Sequence, residues 1–301
     1  MTNHQIVSGL ELWQWRQSAL VSGKAGDVPP MEVDWILQEV AGLDRLALRL
    51  ESFKNCPQIE LKLPLSELNR LWQRRLHDRL PVQYITGITP WRHFKLAVSP
   101  AVLIPRPETE SLIDLAVEAV SSAPWPPDTP HHWADLGTGS GAIAIGLADA
   151  FPDATIHAVD KSADALSIAR ENALRLGFAD RINFYQGCWF EPLGSLKGQF
   201  RGIISNPPYI PSGIVPTLQP EVTKHEPHLA LDGGNDGLDC IRHLVETAPD
   251  YLRPGGLWLI EMMAGQAEAV AELLRLNGNY IKIQIFSDLA GIDRFALAYR
   301  C

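Results

Sequence analysis

The sequence predicts an α/β protein: a doubly wound, mostly parallel sheet closed by an antiparallel hairpin, behind a small all-helical domain. Three observations carry this expectation. From residue 132 onward, short apolar runs alternate with segments of helical period. A glycine-rich loop, Asp135-Leu136-Gly137-Thr138-Gly139-Ser140-Gly141, joins the first of those runs to a helix. A polar, proline-rich turn, Ser205-Asn206-Pro207-Pro208-Tyr209, follows another run, Gly202 to Ile204. Open α/β sheets place their ligand sites at such strand ends.

Bulk composition limits the function classes. At 301 residues the chain holds one large domain or two modest ones. The net charge of −9 is uneven, because residues 1–90 carry ten basic and ten acidic side chains. The acidity therefore lies in residues 91–301, which argues against broad, salt-driven binding to DNA phosphates. Cysteines at 56, 188, 240 and 301 show no CxxC spacing. That fits a reducing compartment without structural zinc, and no metal site is expected. No charged n-region precedes an apolar h-region, and no run approaches transmembrane length. The expectation is a soluble, cytoplasmic, monomeric protein with no membrane partner.

Residues 1–82 read as helices. Leu10, Trp13, Leu20 and Val21 share one helical face. Pro29-Pro30 starts a second helix with Val33, Ile36, Leu37 and Val40 at three- and four-residue spacing before Gly42. Leu43 to Phe53 is a third candidate, and Pro64 with Ser66 opens a fourth along Leu68, Leu71, Trp72 and Leu76. Arg70, Arg74, Arg75 and Arg79 share much of its other face, as a solvated surface or as a stripe for an acidic or RNA-like partner. From residue 83 to 105 the pattern changes to a hairpin linker, with strands expected at Phe94–Val98 and Val102–Ile104. The catalytic domain is expected over 106–301. Thr109 reads as a helix cap, with Glu108 and Glu110 suited to a first turn. Pro124 to Pro130 reads as a surface loop.

In the α/β part, Gly137, Gly139 and Gly141 let the backbone turn tightly and approach a ligand. The loop is not G-x-G-x-x-G and carries no P-loop lysine, so both pyrophosphate readings weaken. D-x-G-x-G-x-G is the pattern of S-adenosylmethionine sites. Asp160 ends the second strand, Thr155 to Val159, where an acid can take both hydroxyls of a ribose; capping the next helix is its bland alternative. Trp189, after the strand Ile182 to Gln186, could flank an adenine or simply fill core. At the later turn, Asn206 offers an acceptor and a donor. Pro208 stiffens the backbone, and Tyr209 adds a flat wall. Together they suit a planar –NH2 group, as in an amide or an exocyclic base amine. Strands at Leu257–Ile260, Tyr280–Phe286 and Phe295–Tyr299 complete the sheet, the last two as a hairpin through Gly291.

Six strings extend the pattern: QYITG (83–87), VLIPRPETE (102–110), DLGTGSGAIAI (135–145), SNPPYIP (205–211), EPHLALDGGNDGLD (226–239) and DLAGIDR (288–294). From about residue 83 the chain resembles the HemK-type peptide chain release factor glutamine methyltransferases. The resemblance implies a seven-stranded, Rossmann-like class I methyltransferase fold. It implies transfer of a methyl group from S-adenosylmethionine to the side-chain amide nitrogen of the glutamine in a release factor's Gly-Gly-Gln motif, which modulates translation termination. It also implies that the helical domain helps to dock the factor.

By the same resemblance Gly137, Gly139 and Gly141, with Thr138 and Ser140 between them, would wrap the methionine part of the cofactor. Asp160 would hold the ribose and Trp189 would lie beside the adenine. Asn206 and the Pro207 carbonyl would accept from the substrate –NH2, with Pro208 and Tyr209 forming the wall. The family often has Asp before this Trp. Here Cys188 stands there, a poor acceptor, so stacking and backbone contacts are expected to hold the adenine. The glycine loop and NPPY are shared with adenine-N6 nucleic-acid methyltransferases, the alternative reading. That class needs a basic groove and a base-reading domain, and the acidic catalytic half disfavours it.

Overall fold

The computed structural model describes residues 5–122 and 131–301; the proline-rich stretch 124–130 lies outside the described residues. The chain divides into two compact units. One runs up to Ile88 and includes Gln219–His225, and the other comprises Thr89–Leu218 and Glu226–Cys301.

The first unit contains β1 (Gln5–Val7), α1 (Gly9–Ala25), α2 (Pro30–Ala41), α3 (Arg45–Leu50), β2 (Ile59–Leu61), α4 (Leu65–His77) and α5 (Val82–Thr86). Ser8 and Glu11 close a capping box at the start of α1. Gly42, at φ +64°, stops α2 in the left-handed conformation. Leu12, Val33, Ile36, Leu37, Leu68 and Trp72 make its core. The all-helical expectation needs one correction, since β1 and β2 pair antiparallel, Gln5 against Leu61 and Val7 against Ile59. Three-residue strands are too short for a period-2 pattern to emerge from sequence. The arginine stripe is paired within the unit. Arg75 is buried and holds Glu32 (2.7 Å) and Glu221 (2.9 Å), and Glu221 also meets Arg79. Arg70 and Arg74 pair with Glu67 and Asp78 on their own helix.

The second unit opens with β3 (Ile88–Trp91, its first residue belonging to the preceding unit) and β4 (Phe94–Ala97), which form a two-stranded sheet. The partner of β4 is therefore β3. Val102–Ile104, expected as the second strand, has no strand structure. Pro90 lacks an N–H and hid β3 from a strand pattern. There follow α6 (Ser111–Ser122), β5 (His131–Leu136), α7 (Ala142–Ala150), β6 (Ala154–Asp160), α8 (Ala163–Leu176), β7 (Ile182–Gln186) and β8 (Phe200–Ser205). After α9 (Pro220–His225), which belongs to the first unit, come α10 (Asp239–Tyr251), β9 (Leu252–Glu261), α11 (Ala267–Asn277), β10 (Tyr280–Ser287) and β11 (Asp293–Arg300).

These strands form one seven-stranded sheet of order β10-β11-β9-β8-β5-β6-β7. It is parallel except for β11, which runs antiparallel to both neighbours. The fold is the Rossmann-like α/β class expected, with its terminal hairpin. The central strands are apolar on both faces because helices cover both. Their side chains feed two cores, one around Trp133, Leu147 and Leu259 and the other around Phe200, Ile241 and Trp258. Ser162 caps α8 by accepting from Ala165 N (3.2 Å). Gly202 lies under the Trp133 ring, which a Cβ there would meet at 2.3 Å.

Across three neighbouring strands, buried His157 of β6 bridges His132 of β5 (2.9 Å) and Tyr185 of β7 (3.0 Å). Burial, and then the neighbouring His132, push its pKa down to about 4. The unfolded value is about 6.5, so the unfolded chain takes up this proton first. The contribution to stability is therefore complete above about pH 6.5 and is lost as pH falls towards 4. In urea melts at about pH 7.5 and about pH 5, the wild type is expected to lose more stability than His157→Gln. Equal losses would show that this histidine does not carry the effect.

Candidate active site

The site begins with register. Leu136 of β5 pairs with Ser205 of β8, and Ser205 pairs with Ile260 of β9. Ser205 Oγ also donates to the Leu136 carbonyl at 2.6 Å. The next residues, Gly137 and Asn206, therefore leave the sheet beside Glu261, the last residue of β9. β6 lies on one side of β5 and β8 on the other. This is the switch point of the sheet, where a crevice opens.

Gly137, Gly139 and Gly141 all have left-handed φ, +78°, +53° and +83°. The Gly137 and Thr138 amides donate to Val159 O (2.9 and 3.0 Å). Beneath the loop, buried Asp135 accepts from Thr138 Oγ1 (2.5 Å) and Ala144 N (2.9 Å), which clamps the loop to α7. Burial pushes its carboxyl up to about 7. Asp160 accepts from Gly139 N (2.8 Å) and Ser162 N (2.9 Å). Burial raises its pKa, with these backbone donors opposing.

Gly137, Gly139, Asp160, Trp189, Asn206 and Pro208 line one cavity of about 310 Å³. Five other residues singled out by sequence do not line it. Thr138 serves Asp135, Ser140 O accepts from Asn172 Nδ2 (2.9 Å), and Gly141 faces Ala169. Pro207 is buried, and the Tyr209 hydroxyl turns away to Glu261. Trp189 has φ +52°, and its ring lies 3.4 Å from where a Cβ on Gly137 would stand. Cys188 also lines the cavity, but its own N–H is taken by Glu191 Oε2 (3.0 Å). Among the described residues, no group of His, Cys, Asp and Glu could hold a metal ion. No described helix is long and apolar enough to cross a membrane.

Behind the turn, the loop Leu231–Gly237 packs against its backbone. Ile210 N donates to Leu231 O (3.0 Å) and Gly233 N returns to Ile210 O (2.9 Å). A Cβ on Gly233 would meet Tyr209 Cα at 2.8 Å, and one on Gly237 would meet Tyr209 O at 2.3 Å. Gln266 Nε2 donates to Tyr209 O (3.0 Å). Arg106 pairs with buried Glu226 at 2.6 Å, joining the VLIPRPETE and EPHLALDGG strings.

Sequence reasoning missed three residues here. Thr109 is no helix cap: its buried hydroxyl donates to Glu261 Oε2 (2.7 Å) and accepts from Asn206 Nδ2 (3.2 Å). Glu261 is buried at the end of β9, and the Tyr209 hydroxyl donates to its Oε1 (3.0 Å). Gln266 is the third. Thr109 lies in the VLIPRPETE string and Glu261 directly after the expected strand Leu257–Ile260, but nothing in either segment announces a contact 152 residues apart.

Comparison with known proteins fits this geometry. The Methyltransferase small domain family model matches residues 115–218. The chain is 52% identical over 296 residues to the release factor glutamine methyltransferase of Synechocystis sp., covering 98% of each. It is 51% identical over 286 residues to that of Thermosynechococcus vestitus, covering 95% of this chain and 96% of the relative. Among solved structures, the hMettl16 catalytic domain in complex with a MAT2A 3'UTR hairpin aligns with a TM-score of 0.54 at 15% identity. That alignment covers 81% of this chain and 84% of the other, and it supports the fold alone.

The packing behind the turn has a direct test. Gly237→Ala places a Cβ against the Tyr209 carbonyl at φ +78°. The expected cost is about 1–3 kcal/mol in urea unfolding. Gly278→Ala, at φ +76° with open space around it, separates the left-handed strain from the clash and is expected to cost less.

Proposed function

The chain belongs to the release factor glutamine methyltransferases, and on that premise we propose that its cavity binds S-adenosylmethionine and presents the methyl group to the glutamine of a Gly-Gly-Gln motif. It is a methyltransferase acting on a release factor glutamine. The supporting observation is that the glycine loop, Asp160 and the Asn206–Pro208 turn share one cavity.

The residues fit this cofactor. No atom lies within 4 Å of where a Cβ on Gly139 would be, so the loop leaves room for close approach. Gly137 and Gly139 would hold the methionine part, Asp160 the ribose hydroxyls and Trp189 the adenine face. When bound, the sulfonium supplies a strongly electrophilic methyl group. The protein's task is then the amide nitrogen, a poor nucleophile because its lone pair is delocalised into the carbonyl. Asn206 Oδ1 and the Pro207 carbonyl would accept from the two amide hydrogens. That orients the nitrogen and favours its lone-pair character in the transition state. The proton becomes acidic only as the methyl arrives, so no strong base is required. Tyr209 is not that base: burial, and then the charge of Glu261, hold its pKa far above the ordinary phenol value. The helical unit is our candidate for docking the release factor. Four unpaired cysteines agree with a cytoplasmic site of action.

Labelled S-adenosylmethionine tests the assignment on three substrates: a full-length release factor, the same factor with its Gly-Gly-Gln glutamine changed to alanine, and duplex DNA. Label is expected on the intact factor alone. Label on DNA would establish the adenine-N6 alternative instead.

Asn206→Ala tests the mechanism. Turnover is expected to fall at least about 100-fold, with cofactor affinity largely kept in isothermal titration. Near-normal turnover would sink the role given to Asn206.

A further inference from the structure

We infer that Thr109 and Glu261 are positioning residues: they fix which end of the Asn206 amide faces the substrate. Both are almost fully buried, with 4% and 2% of their surface exposed. Neither lines the cavity. The inference rests on the reading above, in which Asn206 accepts from the substrate amide.

The argument is one of donor count. Burial raises the Glu261 pKa, while the Thr109 and Tyr209 hydroxyls and the Arg294 charge oppose it and favour the ionised form, which only accepts hydrogen bonds. Glu261 presents Oε1 to the Tyr209 hydroxyl at 3.0 Å and Oε2 to the Thr109 hydroxyl at 2.7 Å. Thr109 has one hydroxyl hydrogen, and Glu261 takes it. Only lone pairs then remain for Asn206, and they accept from Nδ2 at 3.2 Å. Asn206 therefore keeps Oδ1, its acceptor, for the other side.

Without that polarity the amide has two near-isosteric orientations. The reversed one would present –NH2 to the substrate's –NH2, donor against donor. Thr109 reaches its place because its segment is held at both ends. Arg106 pairs with Glu226, and Glu110 Oε1 accepts from Arg92 N at 2.8 Å. This gives the VLIPRPETE string a role that helix capping does not.

Two substitutions test the chain. Glu261→Gln keeps shape but can donate to Thr109, whose hydroxyl can then turn to Asn206 Oδ1. Thr109→Val keeps volume and removes the hydroxyl. Each is expected to lower kcat roughly tenfold, about the worth of one hydrogen bond. The KM for the release factor and the affinity for S-adenosylmethionine are expected to stay within about twofold. Thr109→Ser is expected to restore most of what Thr109→Val loses.

The melting temperature discriminates further. Glu261→Gln removes a buried charge, so it is expected to leave Tm unchanged or raise it while kcat falls. Losses of kcat that track losses of Tm and cofactor affinity would make the role merely structural and overturn the inference. So would kcat within about twofold of wild type in both variants. If the wild type itself leaves the Gly-Gly-Gln glutamine unlabelled, the functional reading fails; if it labels that glutamine and both variants turn over normally, this inference alone fails.

Discussion

Everything at the site depends on the register of three parallel strands. Leu136, Ser205 and Ile260 pair across β5, β8 and β9. Buried Ser205 ties the first two together through the Leu136 carbonyl. One residue further on, β5 and β8 release Gly137 and Asn206 beside Glu261, which ends β9. A slip of one residue would turn each side chain to the opposite face of the sheet. The fourth strand end, Asp160 of β6, is drawn in by its bond from Gly139 N. The glycine loop, the Asn206 turn and a buried carboxylate thus share one line at the switch point.

The turn at Asn206 to Tyr209 is rigid for reasons outside itself. Its own prolines remove donors, and the Leu231–Gly237 loop packs backbone to backbone against it. That approach is closer than any Cβ would allow at Gly233 or Gly237. Glu226, just before this loop, is buried against Arg106. Removing either partner of such a pair leaves the other charge without compensation. The intervening segment, Gln219–His225, belongs to the first unit, where Arg75 and Arg79 hold Glu221. Glu221 and Glu226 are thus each held by arginines of their own unit.

The sheet was legible because its signals are local. Strand β7 and the hairpin of β10 and β11 follow from short apolar runs and from Gly291 between the last two. The glycine loop and the Asn206 turn are contiguous strings with a stated context. What stayed hidden is non-local or short. The strands β1 and β2 have three residues each, and β3 contains Pro90. Thr109 looks like a cap in sequence, because three-residue spacing describes a cap and says nothing of a carboxylate on another strand. Glu261 reads as the polar end of an apolar strand. The arginines of α4 read as a stripe, since the carboxylates that pair with Arg75 come from α2 and α9.

The disposition of carboxylates also bears on how the reaction proceeds. Asp160 and Asp232 line the cavity, and no His is among its lining residues. Asp160 accepts two backbone N–H bonds. Asp232 is held below the usual carboxylate range by the Ser212 hydroxyl and the Gly234 amide, which makes it a weak base. Behind the cavity, Glu226 is spent on Arg106, and Glu261 on Thr109 and Tyr209. Each of these carboxylates is committed to holding a backbone turn or another side chain. That distribution suits a reaction whose nucleophile loses its proton late. In the reaction proposed above, charge would be spent on geometry, fixing an acceptor beside the amide nitrogen, and the driving force would be left to the electrophile.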